Sequence, residues 1–224
     1  MIKAYLRGMI QVINNPKEFL STVRYIGLFF ILILALVLSI HWVEGLSLKQ
    51  LTSDLAGVAY LPPYYGLLSQ ISIWLWSATA CICFLGWRLM PLRKQVKYKD
   101  NFFFMSFVII LLLGLDDAFM LHEEIYQYVH IPQKMVYVIY TLMFCYLLWH
   151  FRYFILVTKF VILFMGLGCL FVSVLLDVVL APESNEYIKY LLEDGIKVLG
   201  ILFLFAYYYE SLIQNLNLQK IDKE

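Results

Sequence analysis

Six long runs of apolar residues set the strongest limit on what this chain can fold into. They cover residues 25–46, 64–90, 102–122, 135–155, 158–181 and 187–210. A helix of about 20 apolar residues crosses the roughly 30 Å of hydrocarbon in a bilayer. We therefore predict an all-α polytopic membrane protein with six transmembrane helices, which form a single integral membrane domain over residues 1–224.

The composition excludes a soluble globular domain. Of the 224 residues, 62% are hydrophobic and 17% are aromatic, which is typical of a chain that lies mostly in lipid. The formal net charge of +1 gives no indication of nucleic-acid binding. The four cysteines lie inside apolar runs without CxxC spacing, so they indicate neither a disulfide framework nor a thiolate metal site.

Lys and Arg are concentrated in the loops on one side of the predicted membrane. That side holds Lys3, Arg7, Lys17, Arg24, Arg88, Arg93, Lys94, Lys97, Lys99, Arg152, Lys159, Lys220 and Lys223. The other side holds Lys49, Lys134 and Lys189. Because cytoplasmic loops carry the excess of basic residues, we predict that both termini are cytoplasmic, and we expect a bacterial inner membrane as the location.

Two segments are predicted to lie at the inner membrane surface. Within residues 1–20, apolar side chains recur at helical spacing opposite basic ones, as shown by Ile2, Leu6, Met9 and Ile13 opposite Lys3 and Arg7. This pattern predicts a cytoplasmic amphipathic helix at the interface. The Tyr207–Tyr209 run near the end of the sixth span predicts an inner belt of aromatic side chains.

Ionisable residues inside the predicted spans indicate a functional site. Asp116, Asp117 and Lys197 lie within spans, where each charge costs roughly 2.5–3.5 kcal/mol on insertion scales. The third and fifth spans run outward and the sixth runs inward, so Asp177, Glu193 and Asp194 fall at a similar depth in the outer half. The sequence therefore predicts a carboxylate-rich site in the outer leaflet.

Small residues are expected to bring the fifth and sixth spans close to a neighbouring helix. They are Gly166, Gly168 and Ser173 in the fifth span and Gly195 and Gly200 in the sixth. We predict that the third, fifth and sixth spans surround one cavity. Within the sixth span, the i,i+4 spacing of Glu193 and Lys197 allows these two side chains to pair.

The excess of carboxylates over Lys197 predicts either raised carboxylate pKa values or a bound cation. Our metal-ligand candidates are Asp116, Asp117, His122 and Asp177. Oxygen ligands favour Mg²⁺, Ca²⁺ or Mn²⁺, and an imidazole would admit Zn²⁺ or iron, so the identity of the divalent metal ion is left open.

The first functional hypothesis is a metal-dependent hydrolase of a lipid or lipid-linked substrate. Glu193 is the candidate catalytic base, and Lys197 is the candidate group that holds this base ionised or stabilises developing negative charge. One alternative is a proton- or cation-coupled transporter or channel that uses the same carboxylates. A further alternative is a non-catalytic membrane subunit or sensor. The expected partners are membrane lipids and a lipid or ion substrate, and oligomerisation is left open.

Two stretches carry a family resemblance. LDDAFMLHE, at 115–123, and LEDGIKVLG, at 192–200, resemble paired motifs of uncharacterised bacterial multi-span membrane proteins, a resemblance that implies no activity. The chain is also distantly similar to the alkaline ceramidase and progestin-receptor superfamily. Those membrane hydrolases use a zinc site of three His with Asp and Ser. This chain departs from them by lacking their paired intramembrane His motifs and one span.

Overall fold

A computed structural model describes residues 16–48, 51, 59–62, 64–89, 97–121, 130, 132–179 and 186–221. Every regular element in these ranges is helical, so the predicted all-α class is confirmed. The chain divides into two compact units, Met1–Tyr65 and Gly66–Glu224. The prediction of one integral membrane domain stays a prediction. Most of the interfacial helix predicted for residues 1–20 lies outside the described residues.

The first unit contains helix α1, Pro16–Glu44. Proline suits the first helical position because its missing N–H would have no partner there. Gly45 follows the last helical residue with φ of +66°, a left-handed conformation that glycine adopts without strain and that commonly ends helices. Most of the predicted first span, 25–46, therefore lies within one continuous helix.

The second unit contains six helices among its described residues. They are α2 Leu67–Leu89, α3 Lys97–Phe119, α4 Gln133–His150, α5 Arg152–Leu156, α6 Phe160–Val179 and α7 Glu186–Ile221. Four helical segments in the described part of the chain are long and apolar enough to cross a membrane: Leu67–Leu89, Asn101–Phe119, Phe160–Asp177 and Leu191–Leu216. By length and composition, the chain is an integral membrane protein.

Helix α4 covers most of the predicted fourth span but differs from the four segments above. It has 18 residues and ends at His150, because Phe151 leaves the helical conformation before the short α5 begins. Its polar residues Gln133, Tyr137 and Thr141 recur every four residues and therefore lie on one side of the helix. Helix α4 therefore carries a polar stripe along one side.

The helices of the second unit pack around α7 and α2. Helix α2 packs along α3 and α7, and α6 packs along α7, whereas α4 contacts α3 more lightly. Gly166 and Gly200 allow the α6 and α7 backbones to approach, since a Cβ atom on either residue would lie 3.0 Å from the carbonyl oxygen of the other. The close approach predicted for these two glycines is confirmed, but a Cβ on Gly168 or Gly195 would meet nothing within 4 Å.

The predicted inner belt of tyrosines is wrong for two of its three members. Tyr207 and Tyr208 are fully buried, and only Tyr209 is exposed. The Phe102 ring contacts both buried tyrosines, with ring centroids 6.5 and 6.0 Å away. The Tyr207 hydroxyl also forms a 3.0 Å hydrogen bond with the Thr158 hydroxyl. These contacts turn the tyrosines toward other helices and away from lipid.

Candidate functional site

A cavity of about 370 Å³ lies in the second unit, at the end where α3 and α6 finish and α4 begins. It is lined by residues from α2, α3, α4, α6 and α7. Five residues that the sequence singled out line this cavity: Asp116, Asp117, Asp177, Glu193 and Lys197. His122, the remaining candidate, lies outside the described residues.

Asp117 is held by groups from two other helices. The Lys197 Nζ atom on α7 lies 3.0 Å from Asp117 Oδ1. The Ser72 hydroxyl on α2 donates a hydrogen bond to Asp117 Oδ2. The same ammonium lies 3.1 Å from Asp194, one turn earlier on α7. The sequence paired Lys197 with Glu193, whereas these contacts place its charge beside Asp117 and Asp194.

The Lys197 and Asp117 side chains are only 24% and 13% exposed, respectively. An ammonium at this depth loses most of its hydration, and an opposite charge at hydrogen-bonding distance offsets part of that loss. The pairing therefore gives a structural reason for a lysine inside the apolar segment Leu191–Leu216 of α7.

Asp177 is held from α4. The Tyr137 hydroxyl donates to Asp177 Oδ2 at 2.9 Å, and the Gln133 amide nitrogen lies 3.3 Å from the same oxygen. Gln133 also donates to the Tyr137 hydroxyl oxygen at 2.9 Å. These three side chains form the polar contact between α4 and the end of α6.

Asp116 and Glu193 complete the polar end of the cavity. Asp116 is only 5% exposed, and its carboxylate lies close enough to the Tyr140 hydroxyl of α4 to interact with it. Glu193 lies close enough to Tyr137 for its charge to act on the tyrosine hydroxyl. Its main-chain carbonyl accepts a 3.1 Å hydrogen bond from Ser173 on α6. Both residues line the polar end of the cavity.

The charge of the lining is strongly one-sided. Of the described side chains that line the cavity, four are carboxylates and one is an ammonium. The ammonium of Lys197 is already in contact with two carboxylates. A positively charged or hydrogen-bond-donating group would be favoured in this environment.

The rest of the cavity is apolar. Its lining away from the carboxylates includes Trp76, Phe144, Leu148, Leu167 and Leu170. Leu167 and Asp177 lie ten residues apart on α6, so the cavity extends about 15 Å along this helix at 1.5 Å per residue.

The cavity also reaches the outside of the helix bundle. Thr141 and Cys145 of α4 and Phe171 of α6 line it and are exposed, with 61% of Phe171 accessible. A molecule with an apolar chain could therefore enter between α4 and α6.

The described residues do not fit a metal centre. Within the part of the chain that the structure describes, no three His, Cys, Asp or Glu side chains are grouped to hold an ion. Asp117 is engaged by Lys197 and Ser72, and Asp177 by Tyr137 and Gln133. The predicted metal site stays a prediction, because His122 lies outside this set.

Sequence reasoning missed what α2 and α4 contribute. Ser72 and Trp76 lie one turn apart on α2 and both face the site, Ser72 by its bond to Asp117 and Trp76 by lining the cavity. On α4, Tyr137, Tyr140 and Thr141 have i, i+3, i+4 spacing and line the cavity. That spacing places polar residues on one face of an otherwise apolar helix, and it was a signal available in the sequence.

A family model described as a domain of unknown function (DUF8692) matches residues 27–211. No curated protein and no solved structure matches the chain. The matched range includes every described residue that forms the polar end of the cavity.

Proposed function

The chain belongs to the DUF8692 family of domains of unknown function, and we propose that it binds a lipid or lipid-like amphiphile inside the membrane. The observation that carries this proposal is the shape and chemistry of one cavity. Carboxylates lie at one end, apolar side chains line the remainder, and the opening between α4 and α6 is on the side that lipid would contact. Ligand sites commonly combine an apolar lining with a few polar groups that orient the ligand.

The proposed orientation places the polar end in the outer half of the bilayer. In this arrangement α1 and α4 are the first and fourth of six spans, both termini are cytoplasmic, and the membrane is a bacterial inner membrane. Arg88, Arg152 and Lys159 support it, because they lie at the end of the bundle opposite the carboxylates. The amphipathic helix over residues 1–20 would lie on the same cytoplasmic surface.

The cavity then has the polarity and length of one leaflet. Its polar end would lie near the outer headgroups, and its apolar end would point toward the bilayer centre. The extent of about 15 Å is half of the roughly 30 Å hydrocarbon thickness. A bound amphiphile would keep the orientation that it has in the surrounding leaflet.

Metal-dependent hydrolysis and ion transport each require polar groups or metal ligands in addition to those that line this cavity. Metal-dependent hydrolysis, with Glu193 as base, would need metal ligands beyond the described carboxylates that line the cavity, including His122. The similarity to ceramidase-type hydrolases stays a prediction. Ion transport would need polar groups beyond the cavity, but its far end is lined by Phe144, Leu148 and Leu167. Binding of an amphiphile requires neither further metal ligands nor polar groups beyond the cavity.

Two tryptophans on α2 provide a direct test. Trp76 lines the cavity and is 3% exposed, whereas Trp74 is 71% exposed on the outside of the bundle. We would prepare two proteins that each keep one of these residues and have phenylalanine at the other tryptophan positions. Each would be placed in nanodiscs containing a few mole per cent of an amphiphile with a brominated chain, because bromine quenches nearby tryptophan fluorescence.

The proposal predicts saturable quenching of Trp76 at low amphiphile content. Trp74 should instead be quenched in proportion to the bulk amphiphile concentration, because it reports ordinary lipid contact. Filling the apolar end by Leu148→Trp, read out by competition for a spin-labelled amphiphile, should reduce binding. Quenching of Trp76 that rises only in parallel with that of Trp74 would show that no amphiphile occupies the cavity.

A further inference from the structure

We infer that the ligand is a single-chain amphiphile whose head carries a positively charged nitrogen. This inference rests on the proposed function and adds the class of the ligand. It is carried by the charge at the polar end, the aromatic groups beside that charge and the volume of the cavity.

The charge of the lining selects a cationic head. Asp116, Asp177 and Glu193 line the cavity in addition to the Asp117 carboxylate that contacts Lys197. An ammonium group can donate hydrogen bonds to these oxygens and gains from their negative charge. A phosphate head would face the same carboxylates, and the described cation that lines the cavity is already paired with Asp117 and Asp194.

The aromatic groups suit the same head. Tyr137 and Tyr140 line the cavity beside Asp177 and Asp116, and the Tyr137 hydroxyl donates to Asp177. Aromatic rings attract cationic nitrogen through their negative faces, most strongly where water is excluded. Carboxylates and tyrosine rings in one pocket therefore distinguish an ammonium from an uncharged head as well as from an anionic one.

The volume selects one chain. One water occupies roughly 30 Å³ in the liquid, and a methylene group is similar in size, so about 370 Å³ holds about twelve such groups. Spread over about 15 Å of helix, this volume has the form of one extended chain. Two acyl chains of a membrane phospholipid would exceed it, unless one chain stays in the surrounding lipid.

The test compares heads on a common brominated dodecyl chain. The probes are a primary amine, a trimethylammonium, a phosphate and an uncharged maltoside. They are added to neutral nanodiscs that contain the protein with Trp76 as its single tryptophan. The protein with Trp74 alone gives the amount of each probe in the membrane, so binding is compared at equal membrane content.

We expect half-maximal quenching of Trp76 by the amine at a membrane content about 10-fold or more below that of the phosphate and the maltoside. Asp177→Asn and Glu193→Gln should each reduce the preference for the amine severalfold. The preference is scored in each variant as the ratio of amine binding to maltoside binding, and saturable quenching of Trp76 by the maltoside shows that the cavity of that variant is still folded.

Three other results would overturn the inference. If all four probes quench Trp76 equally, or the phosphate is preferred, the cavity binds amphiphiles but does not select a cationic head, and the proposed function survives alone. If no probe quenches Trp76 beyond the Trp74 reference, the inference and the proposed function both fail.

Discussion

The Lys197 Nζ atom lies 3.0 Å from the Asp117 Oδ1 atom, so one partly buried ion pair joins α7 to α3 beside the cavity. Ser72 adds a bond from α2 to the same carboxylate. Three helices thus meet at one side chain. Their relative positions determine the shape of the polar end, and the pair is therefore expected to stabilise the site as well as line it.

Replacing one member of this pair should destabilise the protein more than replacing both. Lys197→Met leaves Asp117 and Asp194 without the ammonium, at a cost of about 2 kcal/mol, below the roughly 3–5 kcal/mol for a fully buried pair. The double variant Lys197→Met with Asp117→Asn should recover part of this loss. Reversible unfolding in mixed micelles would measure the three free energies of unfolding.

The pair formed by Lys159 and Glu210 provides the matched control. Its nitrogen–oxygen distance is 2.9 Å, but the two side chains are 58% and 44% exposed. Lys159→Met should therefore change the free energy of unfolding by less than about 1 kcal/mol. Equal losses for Lys159→Met and Lys197→Met would show that burial of the Lys197 pair contributes nothing.

The glycines of α6 and α7 should differ sharply in their tolerance of a methyl group. Gly166→Ala and Gly200→Ala would place a Cβ atom 3.0 Å from a backbone oxygen, and we expect losses of about 1–3 kcal/mol in the free energy of unfolding. Gly168→Ala and Gly195→Ala meet open space and should be neutral or stabilising, because alanine favours helix. Similar changes in the free energy of unfolding for all four variants would contradict the close approach at Gly166 and Gly200.

The Ser72 hydroxyl should contribute to stability, and that of Ser77 should not. Ser72→Ala removes the bond from α2 to Asp117 and should cost about 0.6–1.7 kcal/mol, from the average to the maximum measured for hydrogen bonds between membrane helices. Ser77 is exposed and donates only to the Ile73 carbonyl of its own helix. Unfolding of both alanine variants under identical conditions would measure the difference, and a neutral Ser72→Ala would mean that Asp117 is held by Lys197 alone.

The Tyr137 hydroxyl should hold α4 against α6. Tyr137→Phe removes the 2.9 Å bond to Asp177, and α4 has few other contacts, so hydrogen exchange of α4 amides should accelerate about threefold or more. Tyr146→Phe changes an exposed ring on the same helix and should leave the exchange rate as it is. Hydrogen exchange measured by mass spectrometry in nanodiscs would compare Tyr137→Phe with Tyr146→Phe. An unchanged exchange rate in both variants would mean that apolar contacts alone hold α4 in place.

The contacts of Asp117 and Asp177 predict that the purified protein holds less than one divalent metal ion per chain. Elemental mass spectrometry on wild type, Asp117→Asn and His122→Ala would measure this content. Stoichiometric metal in wild type that is lost in both variants would contradict the expectation. That result would restore the metal-dependent hydrolase as the leading hypothesis.

Helical spacing located the carboxylates of the cavity but did not predict their partners on other helices. Asp116 and Asp117 adjoin each other on α3, yet Asp116 meets Tyr140 of α4 and Asp117 meets Ser72 and Lys197 of two other helices. The sequence located these carboxylates because charge inside an apolar run is visible without a structure. It paired Lys197 with Glu193 because i,i+4 neighbours are the contacts that a single helix makes.

The sequence by itself determined the all-α membrane class, the grouping of the ionisable residues at one end of the bundle and the small residues that bring α6 to α7 at Gly166 and Gly200. These properties follow from helix rise, apolar length and side-chain size, which are local. Only the tertiary structure decided that Tyr207 and Tyr208 are buried, that α2 and α4 complete the cavity, and that Asp117 binds Lys197. Those outcomes depend on the rotation and separation of packed helices, and the contacts among several helices together determine both.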